Sequence, residues 1–406
     1  MPSSPSSFPP RWRLVLQLGS GQTLAYASTY YLPALLAAPL AADLGLDLAT
    51  VFAAFSLALA VSALVGPAAG RALDRLGGRT VLITTNLLFA SGLLALAAVQ
   101  GPWGLLLAWA WLGVGMGSGL YEAAFATAVG WYGREAGRAI TGITLVAGFA
   151  STVGWPLTAV LIETFGWRGA CIGWALLHLL LGLPVHLLLP GSQRSGPAAQ
   201  PVELRAGARA PQPPGVTGPP RRVAVLLATV FAAAWFCSTA MAAHLPALLQ
   251  AMGVSLAAAV AAGALVGPAQ VAGRLLEFTW LRRLDPLLSA RLASLGHPLG
   301  AAALLLAGSA LAAPFALLHG LGIGILTIAK GTLPLLYYGP LGYGQRQGWL
   351  MMPARLAQAV APWVFGLGLQ AWGRQALLIT AAAGLAGLVA LLLLPRPPDR
   401  LEQWGP

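Results

Sequence analysis

Four ionisable residues stand inside long apolar stretches of the chain: Glu122, Arg274, Lys330 and Arg355. A cation at the centre of a membrane-spanning helix costs ~2.5–3.5 kcal/mol on the insertion scale, so each needs a compensating partner or a task. Lys330 is the single lysine of the sequence. The three cations lie to the same side of the middle of their runs, and cations gathered at one depth can hold an anion. Each could instead snorkel to the nearer surface or pair with a carboxylate, and Arg274 has Glu277 close by for that purpose. Glu122 is the one deep carboxylate of the first half of the chain. It could exchange a proton, since burial disfavours a lone carboxylate, or it could serve as a standing partner for one of the cations. The sequence leaves both readings open.

The elements that must carry these residues follow from composition. Of 406 residues 58% are hydrophobic and only 8% charged, far fewer charges than a water-facing surface requires. Apolar runs near the ~20 residues of one bilayer crossing recur along the chain. They predict an all-α integral membrane protein with twelve spans in two pseudo-symmetric six-helix bundles, residues 14–189 and 223–394. Residues 1–13 and 395–406 read as tails. Residues 190–222 hold eight prolines, five glycines and five arginines and read as a cytoplasmic linker. A repeat supports the division: Leu64-Val65-Gly66-Pro67-Ala68 returns as Leu265-Val266-Gly267-Pro268-Ala269, and Leu32-Pro33-Ala34-Leu35-Leu36 as Leu245-Pro246-Ala247-Leu248-Leu249.

Arginine placement orients the chain. With both ends cytoplasmic, Arg11, Arg13, Arg71, Arg75, Arg79, Arg134, Arg138, Arg221 and Arg222 fall inside, against Arg168 and Arg374 outside, the bias expected of a cell-membrane protein. The formal charge of +12 is thereby explained without a nucleic acid. Cys171 and Cys237 lie in apolar runs and suggest neither a disulfide nor a metal site.

The turn between spans two and three concentrates charge in the pattern Gly70-x-x-x-Asp74-Arg75-x-Gly77-Gly78-Arg79. In this motif and in its topology the chain resembles the major facilitator superfamily of secondary transporters, with Gly78 where that family has a first basic residue. The resemblance implies a gating latch built from Gly70, Asp74, Arg75, Gly77 and Arg79, in which the aspartate meets the start of span eleven and nearby arginines. Trp131–Ala139 and Phe165-Gly166-Trp167-Arg168 are similar to the branch of monocarboxylate and oxalate/formate carriers. That likeness implies a substrate carboxylate on Arg274, while Gln270 replaces the branch's acidic residue one turn earlier.

The same resemblance implies that spans one, four, seven and ten line a central cavity. Gln22, Tyr26 and Tyr30 form a polar stripe on one face of span one, with Trp235 on span seven and Gln358 near Arg355. The candidate substrate site is therefore Arg274, Arg355, Lys330, Tyr26, Tyr30, Gln22, Trp235 and Gln358, with Glu122 as candidate proton-coupling residue. None of His178, His186, His244, His297 and His319 is assigned a role. No nucleophile–base pair, nucleotide loop or ligand cluster stands out, so no enzyme, cofactor or metal is expected. The expectation is a monomeric carrier in the lipid bilayer, moving a small organic anion by alternating access, coupled to protons or working by exchange. Its rivals are an efflux carrier for amphipathic or neutral molecules and a non-transporting membrane sensor.

Overall fold

The structure, a computed structural model, describes residues 10–191 and 221–397; the linker and most of both tails lie outside the described residues. The first half comprises α1 (Arg11–Ser28), α2 (Pro33–Leu44), α3 (Leu48–Leu76), α4 (Gly78–Ala97), α5 (Pro102–Gly119), α6 (Tyr121–Tyr132), α7 (Gly137–Ala147), α8 (Ala150–Leu177) and α9 (Leu183–Leu187). The second comprises α10 (Arg221–Ala251), α11 (Leu256–Ala264), α12 (Val266–Thr279), α13 (Pro286–Ala307), α14 (Ala312–Tyr338), α15 (Tyr343–Trp372) and α16 (Leu377–Leu393). Helix is the element in which each segment satisfies its own backbone in hydrocarbon. The helices begin at Arg11 and Arg221, slightly earlier than the sequence pattern placed them.

Several passes that read as continuous are broken. α1 and α2 form one pass interrupted near Thr29, α5 and α6 one interrupted at Leu120, and α11 and α12 one interrupted at Leu265. α8 carries the opposite case, two passes merged across Gly166, whose φ of 71° admits the turn that a side chain would strain. With α7 continued by the first part of α8, and α9 continuing its second part, the described helices are consistent with six passes on each side of residues 192–220. Equivalent caps start the second pass of each half. Asp47 Oδ1 accepts from Thr50 N at 2.5 Å ahead of α3, and Ser255 Oγ from Ala258 N at 3.3 Å ahead of α11.

The two halves meet most closely where α3 runs antiparallel to α15. Gly66 and Gly70 face Gly348 and Gly344, each pair spaced four apart and in register. A Cβ on Gly348 would strike the Gly66 backbone, and one on Gly70 the Gly344 carbonyl. Small residues at this spacing let two helix backbones touch. One turn further on, Asp74 crosses to the start of α15: Oδ1 accepts from Gly344 N at 2.9 Å and Oδ2 from Gln345 N at 2.8 Å. The carboxylate thus fills the role of an N-cap for a helix of the other half, at the positive end of its dipole. Gly77, at φ 81°, ends α3 by returning its N–H to Leu73 O at 3.0 Å. Among the described residues no ion pair joins Asp74 to Arg75 or Arg79; the arginine whose field reaches it is Arg346.

Other contacts close the same face. Gly331 of α14 lies against Phe125 and Ile140, and Leu335 and Tyr343 join the apolar cluster of Leu14, Leu73, Phe125 and Ile143 from the first half. At the opposite face Asp43 binds Arg168 and accepts from Trp167 Nε1 at 3.2 Å, which ties the end of α2 to the Gly166 turn. The Arg168 guanidinium holds the Asp43 carboxyl below the usual carboxylate range. Gly348→Leu is expected to wedge α3 from α15 and lengthen distances between spin labels placed at the Arg75 and Gln345 ends of the two helices. Asp74→Ala, losing a cap of about 1 kcal/mol, should shift the same distances partially. Unchanged distances in both variants would refute this account of the closed face.

Candidate functional site

Glu122 sits in the first turn of α6, just past the break at Leu120. The preceding Gly115-Met116-Gly117-Ser118-Gly119 is a poor helix former, which is where a pass would part. Gln22 Nε2 donates to Gly119 O at 2.8 Å and so satisfies a carbonyl released at the break. The break leaves the Glu122 carboxylate at the positive end of a half-helix, 9% exposed and aimed at the other half.

Two cations of the second half converge on it. Lys330 Nζ donates to Oε1 at 3.1 Å and Arg355 Nη2 to Oε2 at 2.7 Å. Arg355 Nη1 donates further to Ser62 Oγ at 2.9 Å, so its guanidinium touches both α3 and α6. Lys330 lies 4.9 Å from the ring centre of Tyr121 and 4.8 Å from that of Trp235, between two cation–π faces. Behind it, Gln347 Nε2 donates to Lys330 O at 2.8 Å, and Tyr343 Oη to Gly331 O at 2.8 Å. Two of the three cations read as one open anion site are therefore already partnered, because a buried cation in hydrocarbon finds a counter-charge where one is within reach.

Arg274 is different. It is 5% exposed, yet its Nη2 donates to Gln270 Oε1 only at 3.4 Å, and among the described residues its Nε has no hydrogen-bond partner. Glu277 does not neutralise it; that carboxylate accepts from Ser289 of α13. The guanidinium ends beside Gly148, at the joint of α7 and α8, where a Cβ would collide with Nη1. Tyr121 lies within electrostatic reach of both Arg274 and Glu122, and Lys330 of both Arg274 and Arg355, so the four charges share one neighbourhood. Of these, Glu122 pairs with Lys330 and Arg355.

Tyrosines wall this neighbourhood. Tyr26 packs 4.7 Å from Tyr121 and 5.9 Å from Tyr30, and Tyr30 5.5 Å from Tyr31. Tyr30 Oη accepts from Gln358 Nε2 at 3.1 Å and lies 3.5 Å from Thr239 Oγ1, a polar contact across the halves. Tyr26, Tyr30, Trp235 and Gln358 are thus gathered with the charges, whereas Gln22 is turned to the α5–α6 break. Tyr31, Tyr121, Ser62 and Gln347 were not singled out from sequence. Tyr121 alone carried a signal, as the neighbour of the one deep carboxylate. Glu122→Ala should leave two buried cations unpaired and destabilise the protein by about 3–5 kcal/mol. Adding Lys330→Met should recover part of this in thermal unfolding in detergent, and equal melting of wild type and Glu122→Ala would contradict the pairing.

Comparisons with known proteins bear on this architecture. Residues 18–340 match the model of the Major Facilitator Superfamily. A search of the curated proteins gave no match. The solved structures it resembles include the human organic anion transporter MFSD10 (TETRAN), with a TM-score of 0.69 at 17% identity, covering 94% of this chain and 100% of that one. They also include the proton:xylose symporter XylE bound to 6-bromo-6-deoxy-D-glucose, with a TM-score of 0.71 at 13% identity, covering 96% of this chain and 95% of that one. At such identities the likeness is one of fold, while the match to the family model covers most of the sequence. This chain, a multi-pass membrane protein with the fold of a transporter, belongs to the Major Facilitator Superfamily.

Proposed function

We propose that the protein is a secondary transporter that carries a small organic anion, with a carboxylate at its charged end, across the cytoplasmic membrane by alternating access of its two halves. The observation that carries the reading is Arg274. A guanidinium offers five N–H donors, and burying one against a single long hydrogen bond leaves a charge that an anion can satisfy bidentately. Lys330 and Arg355 add a second cationic surface on the far side of Tyr121, and Tyr26, Tyr30, Trp235 and Gln358 supply apolar and hydrogen-bonding wall. Of the two structures above, MFSD10 is named an organic anion transporter and XylE a xylose symporter. A neutral cargo such as a sugar gives the unpaired Arg274 no purpose, which favours the anion.

In this reading the face closed by Gly66, Gly70, Asp74, Gly344 and Gly348 is cytoplasmic, as the arginines of the α3–α4 turn suggest. Asp74 then acts as the latch of that face, with Gly70 and Gly77 shaping it and Arg75 and Arg79 holding the turn in water. The halves, residues 14–189 and 223–394, rock about the charged neighbourhood as a monomer.

The test is ligand-induced stabilisation of the purified protein by lactate, pyruvate, benzoate, oxalate and succinate, with xylose as the neutral control. An anion at a hundred times its Kd adds about 2.7 kcal/mol to stability, a readily measured rise in Tm. At least one carboxylate is expected to raise the Tm of wild type and to lose that effect in Arg274→Ala, which should itself fold, since it removes an unpaired buried charge. Stabilisation by xylose alone, or an undiminished shift in Arg274→Ala, would overturn the reading.

A further inference from the structure

Resting on the anion reading above, we infer that the cargo is a monocarboxylate bearing a flat aromatic ring, and that Tyr31 is the residue that selects the ring.

The two halves bring different chemistry to the centre. The unmet guanidinium of Arg274 belongs to the second half, on α12. Opposite it the first half presents a run of rings. Phe125 stacks on Tyr121 at 5.3 Å, Tyr121 meets Tyr26 at 4.7 Å, and Tyr30 lies 5.5 Å from Tyr31 and 6.0 Å from Phe55. Tyr26 joins the two parts, 5.9 Å from Tyr30 and 6.5 Å from Tyr31. Tyr31 and Tyr121 both lie within electrostatic reach of Arg274. A cargo bound between the halves therefore offers a carboxylate to one and a ring to the other.

Packing alone does not account for these rings. Phe125 is fully enclosed, as a packing residue is. Tyr26, Tyr30, Tyr31 and Phe55 stay only half-buried, although Arg274, Thr239 and Gln358 around them are buried. Tyr30 meets Gln358 and Thr239 of the other half, and Tyr31 feels the charge of Arg274. These rings thus look onto the space between the halves.

The backbone makes this wall. On an unbroken helix Tyr31 would point about 100° away from Tyr30. Instead α1 ends at Ser28, Thr29 leaves it at φ −128°, and Tyr31 N donates to Tyr26 O at 3.0 Å. Both tyrosines then reach the same wall, edge to face. Aromatic faces and edges favour a further π system over a saturated group of equal size, because their quadrupoles are complementary.

The charges nearby define the rest of the cargo. A second carboxylate meets Lys330 and Arg355 already bonded to Glu122, and an ammonium meets Glu122 already bonded to both cations. One carboxylate and no amine is the complement of Arg274.

The test is calorimetric titration of the purified full-length protein with benzoate, phenylacetate, cyclohexanecarboxylate, phthalate, phenylalanine and benzamide. Cyclohexanecarboxylate resembles benzoate in size and charge but has no π face. Benzoate or phenylacetate should bind about tenfold more tightly than it, the ratio that a good ring–ring contact supplies. Phthalate, phenylalanine and benzamide should each bind about tenfold more weakly than benzoate, or less. Tyr31→Leu should erase the preference for benzoate and leave the affinity for cyclohexanecarboxylate unchanged, while Tyr31→Phe should keep the preference. A damaged fold would instead weaken both acids alike, and the wild-type panel tests the class without any variant. Equal binding of benzoate and cyclohexanecarboxylate, phthalate or phenylalanine bound as tightly as benzoate, or a preference that survives Tyr31→Leu would overturn the inference and leave the anion reading in place. Benzamide bound as tightly as benzoate, or no acid bound at all, would remove both.

Discussion

A shortage of negative charge at the centre of the molecule governs the rest of the structure. Hydrocarbon on the outside forbids Arg274, Lys330 and Arg355 to face lipid, so the helices must turn them inward. Among the described residues, Glu122 is the carboxylate that pairs with Lys330 and Arg355. It can do so because the fifth and sixth helices part at Leu120 and leave it at the head of a half-helix. Gln22 donates its Nε2 to the carbonyl which that parting releases. Residues that look independent in sequence are thus tied to one electrostatic problem.

The closed face answers a second constraint, that two helices from different halves touch without a side chain between them. Glycines opposite glycines give contact with little interdigitation, and Asp74 adds directional bonds at the rim. The charged clasp and the glycine seam share one helix, since Arg355 and Gly348 both belong to α15.

Fold class was legible because composition, apolar run length and the recurring Leu-Val-Gly-Pro-Ala motif all pointed one way. The ionisable residues of the site were legible for the same reason: in an apolar run a charge has nowhere to hide. Their pairing was not. Glu122 lies 208 positions from Lys330 and 233 from Arg355, and nothing local says which cation it meets. Arg274 pointed to Glu277 by proximity along the chain, yet Ser289 holds that carboxylate and leaves the guanidinium short. Tyr121 and Tyr31 escaped notice because tyrosine in a membrane helix is ordinarily packing or anchor. The helix breaks at Thr29, Leu120 and Leu265 were missed because hydropathy counts apolar residues and is blind to a change of backbone angle.

The central claim is that the unmet donors of Arg274 define where an anion binds. The most direct measurement is an experimental density map of the full-length protein saturated with the carboxylate that stabilises it most. The account predicts that anion within hydrogen-bonding distance of the Arg274 guanidinium. An anion bound elsewhere, with Arg274 still unmet, would contradict it.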